Sequence, residues 1–246
     1  MKKVVLITGA LTGIGRATAV AFANEGYKVV VSGRRVEEGN VLAGELKAAG
    51  ADAIFIQADV RYEAEVKNLF EGAIAAFGRL DVAVNNAGTE GKPGPITEQT
   101  AESYAATFDT NVLGTLLSLK YEMKIMQQQG SGSIVNISST MGTKAAPGAS
   151  LYTASKHALE GLTKAAALEG ATLGVRVNAV APGPIDTDML TRFTGTDSRK
   201  AALIAGVPMK RMGLPEEVAQ TIVFLGSDKS PFLTGQIIAV DGGKLA

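Results

Sequence analysis

The residues with the clearest chemical potential are Tyr152 and Lys156, which lie four positions apart. On a helix this spacing places both side chains on one face, within reach of each other. A free phenol has a pKa of ~10, and a neighbouring ammonium lowers that pKa because it stabilises the phenolate. Tyr152 could then exchange a proton with a substrate oxygen near neutral pH. The same two residues are also common on solvated helix faces, so the pair alone fits either an acid/base site or an exposed surface.

Two serines, Ser138 and Ser139, precede this pair at the end of a β-branched segment. A hydroxyl on a rigid strand end can donate a hydrogen bond to a substrate oxygen and orient it. A serine that only shapes the turn after the strand is the alternative interpretation. The local sequence leaves both serines open as the donor.

A glycine-rich segment near the N terminus, T-G-A-L-T-G-I-G, places Gly9, Gly13 and Gly15 between an apolar run and a helical pattern. Glycine permits positive φ and close backbone approach, and the free N–H groups of a helix N terminus attract phosphate. The segment therefore predicts a pyrophosphate site. A tight turn without a ligand is the alternative, because the spacing differs from G-x-G-x-x-G and lacks the Gly-Lys-Ser/Thr of a P-loop.

Seven β-branched segments alternate with segments of helical length and must position these residues. The segments are KVVLITG, KVVVSG, AIFIQADV, LDVAVNNAG, GSIVNISS, VRVNAVAPG and QIIAVDGG. Consecutive apolar positions are typical of strands covered on both faces. The alternation predicts an α/β fold with a doubly wound parallel sheet, in a single domain spanning residues 1–246.

Apolar residues at three- and four-residue spacing predict the helices between these strands. The predicted helices cover residues 15–25, 37–49, 63–77, 101–128, 152–173 and 215–225. Residues 186–213 interrupt the alternation with mixed polar and apolar residues. We expect this stretch to form a substrate-binding lid over a pocket.

Composition argues against several classes of site. The 246 residues include no cysteine and one histidine, so thiol chemistry is excluded and a catalytic zinc lacks ligands. His157 follows Lys156 and points about 100° away around a helix, which predicts a structural role.

The 24 basic and 24 acidic residues form no like-charge block, which argues against nucleic-acid binding. The absence of a secretory leader pattern and of a long apolar run predicts a cytoplasmic protein without a membrane partner.

Several short motifs, in this order, resemble those of the short-chain dehydrogenase/reductase family. They are T-G-x-x-x-G-I-G, Asp59-Val60, Asn85-Asn86-Ala87-Gly88, Asn111, Ser139, Tyr152-x-x-x-Lys156 and Pro182-Gly183-x-Ile185-x-Thr187. Each motif is short, but the resemblance runs through nearly the whole chain. It implies a Rossmann-like, three-layer αβα fold. It also implies an oxidoreductase that transfers hydride between a nicotinamide and a carbonyl or alcohol group.

The resemblance implies four catalytic residues. Tyr152 would be the acid/base, and Lys156 would also hold the hydroxyls of the nicotinamide ribose. Family spacing prefers Ser139 over Ser138 as the group that orients the substrate oxygen. Asn111 would anchor a water relay behind the lysine, although a helical asparagine can also simply bind local backbone.

The same resemblance implies the cofactor contacts. Apart from the two arginines treated in the next paragraph, these contacts are Gly9, Thr12, Gly13, Ile14, Gly15, Asp59, Val60, Asn86, Ala87, Gly88, Tyr152, Lys156, Pro182, Gly183, Ile185 and Thr187. Among them Ile185 and Thr187 would fix the carboxamide and choose the hydride face. For Asp59 a helix cap is the alternative interpretation.

The end of the second predicted strand favours NADP(H) over NAD(H). An acidic residue there would accept from the ribose 2′-hydroxyl and repel a 2′-phosphate. The sequence has Gly33 at that position, followed by Arg34 and Arg35. A planar guanidinium can bind the phosphate and stack on adenine. Arg34 is the expected contact, with Arg35 as the alternative.

The expected activity is that of an NADPH-dependent carbonyl reductase that runs in reverse as a secondary-alcohol dehydrogenase. A 3-oxoacyl-thioester reductase or a sugar dehydrogenase of the same family is the alternative, and a non-catalytic dinucleotide sensor is a third possibility. Substrate contacts are expected from residues 139–146 and from the lid. Apolar lid residues favour an apolar substrate, and basic ones would suit an acidic group. The apolar residues are Met189, Leu190, Phe193 and Met209, and the basic ones Arg192, Lys210 and Arg211.

The resemblance also implies a homotetramer. One two-fold interface would pack the predicted helices 101–128 and 152–173 across it. The C-terminal segment 236–246 would form a second interface. A dimer is the alternative assembly.

Overall fold

A computed structural model of the protein describes residues 2–246 and contains one seven-stranded sheet. The strands are β1 (Val4–Thr8), β2 (Lys28–Gly33), β3 (Ala53–Gln57), β4 (Val82–Asn85), β5 (Gly132–Ile137), β6 (Val175–Pro182) and β7 (Ile237–Val240). Their order across the sheet is β3-β2-β1-β4-β5-β6-β7, and every neighbouring pair is parallel. The predicted doubly wound, three-layer Rossmann-like fold is confirmed.

Nine α-helices flank the sheet within residues 2–246. They are α1 (Gly13–Asn24), α2 (Val36–Ala48), α3 (Glu63–Phe77), α4 (Ala101–Phe108), α5 (Gly114–Gln129), α6 (Ser150–Gly170), α7 (Asp188–Thr194), α8 (Asp197–Ala205) and α9 (Pro215–Gly226). Pro215 opens α9, where its missing N–H costs no hydrogen bond. In this part of the chain, no helix combines the length and apolarity needed to cross a membrane.

The core has two halves, one on each face of the sheet. The four residues of β1 from Val4 to Ile7 are fully buried, and they alternate between the two faces. Val5 and Ile7 pack with α1, α2 and α9, whereas Val4 and Leu6 pack with α3, α5 and α6. Each such buried side chain contributes about 1.5–3 kcal/mol of stability. Burial on both faces explains why the strand sequence is apolar without alternation.

The helix predicted over residues 101–128 is not continuous. The structure divides it into α4, a π-helical turn at Asp109–Leu113 and α5. Asn111 lies in the widened turn, where its side-chain amide bonds the backbone of Thr89. At the end of this turn the chain approaches Val60, because a Cβ on Gly114 would lie 2.6 Å from Val60 Cγ2. The break therefore coincides with contacts made by the widened turn, as is typical of π-bulges.

Residues 186–213, which carried no clear helical periodicity, contain the two short helices α7 and α8. Threonine caps begin both helices, since Thr187 Oγ1 accepts from Leu190 N and Thr196 Oγ1 accepts from Arg199 N. Gly195 ends α7 with a φ of 69°. Helices of two turns are too short to show a periodic pattern, which is why the sequence analysis missed them.

Candidate active site

A cavity of about 530 Å³ opens at the carboxyl ends of the strands, between the loop after β5 and residues 186–213. Clefts at this edge are the usual ligand sites of doubly wound sheets. Ten of the residues predicted to be catalytic or to bind the cofactor line it. They are Ile14, Asn86, Gly88, Ser139, Tyr152, Lys156, Pro182, Gly183, Ile185 and Thr187.

Tyr152 lies in the first turn of α6 and is half-buried against the cavity. Burial is the largest influence on its phenol and raises its pKa to about 12, while a hydrogen bond with Ser139 acts in the opposite direction. The expected lowering of the tyrosine pKa by its lysine neighbour is therefore wrong for this structure. Lys156 Nζ lies 5.6 Å from the centre of the Tyr152 ring, and it donates instead to Ile137 O at 2.8 Å.

Lys156 is nearly inaccessible to solvent and sits one turn after Tyr152 on α6. Burial lowers its pKa to about 8, and the charge of Glu160 partly opposes this shift. The ammonium of Lys156 therefore begins to lose its proton at a pH only slightly above the physiological range. Its charge is consequently sensitive to any anion or carbonyl that enters the cavity.

The two serines after β5 have different partners. Ser138 Oγ donates to the buried carboxylate of Glu160 at 2.7 Å. Ser139 Oγ accepts from Met141 N at 3.1 Å and also interacts with the Tyr152 hydroxyl. Ser138 is thus occupied by a carboxylate, whereas Ser139 is the serine that contacts the tyrosine.

Asn111 is fully buried behind this group. Its Oδ1 accepts from Thr89 N at 2.8 Å, and its Nδ2 donates to Thr89 O at 2.9 Å and to Ser155 Oγ at 3.0 Å. The amide therefore braces the loop after β4 against α6. A Cβ on Gly88 would lie 3.3 Å from Asn111 Oδ1 and 3.6 Å from Lys156 Nζ, which places this brace next to the lysine. The water relay stays a prediction.

The glycine-rich turn fits the pyrophosphate of a dinucleotide. Gly9 has a φ of 61°, and a Cβ there would lie 2.7 Å from Ala87 Cα, so the two backbones pack in direct contact. Asn86 Nδ2 holds the turn by donating to Thr8 O and Gly9 O. Helix α1 begins at Gly13, with no side-chain cap from Thr12 and no acidic residue in its first turn. Its first N–H groups therefore point outward without a side-chain acceptor, as an anion site requires.

The residues expected at the adenosine end of the cofactor follow strands β2 and β3. Arg35 pairs with Glu38 at 3.0 Å. Asp59 pairs with Arg61 at 2.6 Å, an interaction that lowers the pKa of the Asp59 carboxyl. Within residues 2–246 the Arg34 guanidinium forms no ion pair, and its backbone carbonyl accepts from the side chain of Gln57. No sequence motif marked Arg61, which pairs with the Asp59 carboxylate.

Only some of the residues expected to contact the substrate from residues 186–213 line the cavity. Met189, Leu190 and Phe193 of α7 line it, but Met209 is 60% exposed and does not. The basic residues expected to meet an acidic substrate are engaged elsewhere. Arg192 pairs with Glu90, Lys210 Nζ donates to Ala205 O, and Arg211 pairs with Glu217.

The structure also brings in residues that sequence reasoning missed. Glu90 from the loop after β4 and Lys244 and Leu245 from the segment after β7 line the cavity, whereas Lys144 lies within residues 139–146, where substrate contacts were expected. No short motif marks them, because only the order of strands in the sheet brings these segments together. His157 is exposed and its Nδ1 lies 2.9 Å from Thr153 O, outside the cavity lining.

Known proteins resemble this chain over its whole length. The family model described as enoyl-(acyl carrier protein) reductase matches residues 9–244. An uncharacterized oxidoreductase of Thermotoga maritima is 40% identical over 248 residues, covering 99% of this chain and 98% of the relative. The 3-oxoacyl-(acyl-carrier-protein) reductase FabG of Staphylococcus aureus is 39% identical over 244 residues, covering 99% and 98%.

A solved structure described as ElxO with NADP bound superposes with a TM-score of 0.92 at 39% identity, covering 100% of this chain and 99% of that one. The sequence relatives, the structural neighbour and the family model therefore each match nearly the whole chain. The chain belongs to the short-chain dehydrogenase/reductase family of oxidoreductases, which act on CH–OH and C=O groups.

Proposed function

We propose that the protein is an NADPH-dependent carbonyl reductase that also catalyses the reverse oxidation of a secondary alcohol. The observation that carries this proposal is the single cavity lined by Ser139, Tyr152 and Lys156. Gly13 and Ile14 begin α1 at its other end, where the uncapped N–H groups suit a pyrophosphate. Residues 186–213 would close over the substrate.

The side chains have separate tasks in this reaction. When bound, the nicotinamide supplies hydride to the carbonyl carbon or accepts it in the reverse direction. Ser139 donates a hydrogen bond that orients the substrate oxygen. Tyr152 gives its proton to that oxygen as negative charge develops there. Burial raises the pKa of Tyr152 to about 12, so the phenol carries at neutral pH the proton that reduction requires.

Lys156 would bind the ribose hydroxyls and supply positive charge beside the phenol. Its Nζ lies 5.6 Å from the centre of the Tyr152 ring and donates to Ile137 O, so the ammonium is held at the edge of the site. Asn111 would position the loop after β4 through its bonds to Thr89. The residues expected to hold the dinucleotide remain those named from the sequence, with Thr187 and Ile185 beside the nicotinamide.

We propose NADP(H) as the cofactor. Arg34 offers a guanidinium without a carboxylate partner, whereas Arg35 is paired with Glu38. The one nearby acid, Asp59, is paired with Arg61. The structural neighbour described with NADP bound supports the same choice.

The alternative within the family is a 3-oxoacyl-thioester reductase, which the FabG relative favours. A sugar dehydrogenase fits less well, because Met189, Leu190 and Phe193 give the cavity an apolar wall. The alternative that is not an enzyme is a dinucleotide sensor.

The test is NADPH oxidation, followed by its absorbance, against a panel of ketones, β-ketoesters, diketones, acyl thioesters and oxidised sugars. The proposal expects turnover of simple ketones, and it expects Tyr152→Phe to lose that turnover while retaining NADPH binding. Turnover of thioesters alone would favour the FabG-like alternative. A blank panel with tight NADPH binding would favour the sensor.

We also propose a homotetramer. A groove of about 640 Å³ runs between α5 and α6 on the surface, and Leu116, Leu168 and Leu173 expose apolar side chains on or near it. Apolar side chains on such a face suit a contact with a second copy. Light scattering of the purified protein checks the assembly, and the cytoplasmic location stays a prediction.

A further inference from the structure

The cavity carries positive charge that the proposed reaction does not use. Lys144 follows the turn after Ser139, and Lys244 follows β7, yet both line the same cavity. Lys144 Nζ donates to Lys244 O at 3.1 Å, which fastens these two segments to each other. Neither lysine neighbours Lys156 in the sequence or shares its helix, so a separate task is needed to explain them.

No free carboxylate among the described lining residues neutralises these lysines. Glu90 is the acidic residue of the lining, and it is paired with Arg192 at 2.7 Å. Lys144 and Lys244 form no ion pair within residues 2–246. Asp241 lies behind Lys244, but its two oxygens accept from Gly243 N and Leu245 N at 2.9 Å each.

The two ammonium groups also influence each other. Partial burial is the largest influence on Lys244 and lowers its pKa, the charge of Asp241 opposes this shift, and the charge of Lys144 has a smaller effect in the same direction as burial. Two like charges on one wall repel each other, and an anion between them would relieve that repulsion. The wall is thus arranged to receive a negative group.

The remainder of the cavity limits the kind of molecule that carries this group. Met141, Leu190 and Phe193 contribute apolar surface to the lining. The volume of about 530 Å³ must also admit the nicotinamide end of the cofactor. A small, mostly apolar molecule with one charged end satisfies both limits, whereas a polyhydroxylated sugar acid would leave hydroxyls against apolar walls.

We propose that the substrate is an oxo acid, a carbonyl compound with an apolar chain that ends in a carboxylate, and that Lys144 and Lys244 bind this carboxylate. The inference rests on the proposed carbonyl reduction and specifies its substrate class. Lys144 and Lys244 then select the substrate, while Tyr152 and Ser139 act on its ketone.

The test compares each of four oxo acids, from 4-oxopentanoate to 7-oxooctanoate, with its own methyl ester. We expect kcat/KM to favour the acid over the ester for at least one chain length. Lys144→Gln and Lys244→Gln should each lower this acid-to-ester ratio by about fivefold, the scale of an accessible ion pair, and the double variant should bring it close to one. Lys67→Gln is the matched control, because Lys67 is an exposed lysine of α3 far from the cavity lining.

The acid-to-ester ratio of kcat/KM does not depend on the fraction of each variant that is folded. The experiment also distinguishes failure of the carbonyl reductase proposal from failure of the oxo acid proposal. If neither acids nor esters are reduced, the carbonyl reductase proposal fails. If esters are reduced as well as acids, or if the lysine variants keep the wild-type ratio, only the present inference fails. A strong preference for coenzyme A thioesters over every oxo acid would also overturn it.

Discussion

At the scale of single residues, the two serines after β5 show how chemistry depends on hydrogen-bond partners. These serines are adjacent in sequence, yet Ser138 bonds a buried carboxylate and Ser139 contacts the Tyr152 phenol. The sequence could name the pair of candidates. It could not assign the partners, since Glu160 reaches Ser138 only after α6 has packed against the sheet.

This difference predicts opposite effects of two matched substitutions. Ser139→Ala should lower kcat by about 10²-fold, the scale of losing one oxyanion donor, with little change in stability. Ser138→Ala should instead lower stability by about 1–3 kcal/mol, because it leaves the buried Glu160 carboxylate without its donor. Steady-state kinetics and thermal unfolding of both variants check the assignment. A larger loss of kcat in Ser138→Ala would reverse it.

The proposed preference for NADPH depends on one residue, Arg34. Arg34→Asp should shift the preference from NADPH towards NADH, because the new carboxylate repels a 2′-phosphate and accepts from a 2′-hydroxyl. The ratio of kcat/KM for the two cofactors is the measurement. Arg35→Asp is the control, since Arg35 is already paired with Glu38 and should change the ratio less. If Arg35→Asp has the larger effect, the contact belongs to Arg35.

At the scale of elements, sequence patterns predicted the strands and long helices well and the short or irregular elements poorly. Strands such as β1 are apolar throughout because both faces are covered, and that signal is local. The π-helical turn around Asn111 has no local signal, because it depends on contacts with Thr89 and Val60. The same reason hid Lys244, which only the position of β7 brings to the cavity.

An ion pair joins residues 186–213, the proposed lid, to the body of the protein. Arg192 of α7 pairs with Glu90 in the loop after β4, at 2.7 and 3.3 Å. Arg192→Gln should raise the substrate KM up to about fivefold, because a partly accessible ion pair contributes up to about 1 kcal/mol to the closed position. It should also speed proteolysis within residues 186–213.

Lys200→Gln is the control for this experiment. It removes the pair between Lys200 and Asp186, which joins two positions within the lid. We expect a smaller effect on KM from this change. If both variants behave alike, the pair with Glu90 does not hold the lid to the body.

At the scale of the whole molecule, a buried polar chain crosses the core. Glu122 of α5 accepts from Asn85 Nδ2, Asn85 Nδ2 also donates to Asn136 Oδ1, and Asn136 Nδ2 donates to Thr163 Oγ1 of α6. Glu122 is fully buried with no cation beside it, and burial raises the pKa of its carboxyl to about 8. It is therefore a neutral acid in the folded protein at neutral pH.

This neutral acid makes stability depend on pH. In the unfolded chain the carboxyl ionises near its ordinary pKa of 4.5, so between that pH and about 8 the folded state binds more protons. Stability should thus fall as pH rises through this range, by at most about 1.4 kcal/mol per pH unit from this group. Glu122→Gln, which mimics the neutral acid, should remove this part of the slope. Thermal unfolding of both proteins between about pH 5 and pH 8 measures it, and equal slopes would show that Glu122 is ionised when folded.

One close approach between the proposed lid and the glycine-rich turn bears on the order in which cofactor and substrate bind. Thr187, the residue that caps α7, lies so close to the turn that a Cβ on Gly13 would come within 3.1 Å of its methyl group. A dinucleotide that binds at this turn would therefore lie against the start of α7, the first helix of the proposed lid, before a second reactant is enclosed. We expect a compulsory order in which the coenzyme enters first and leaves last.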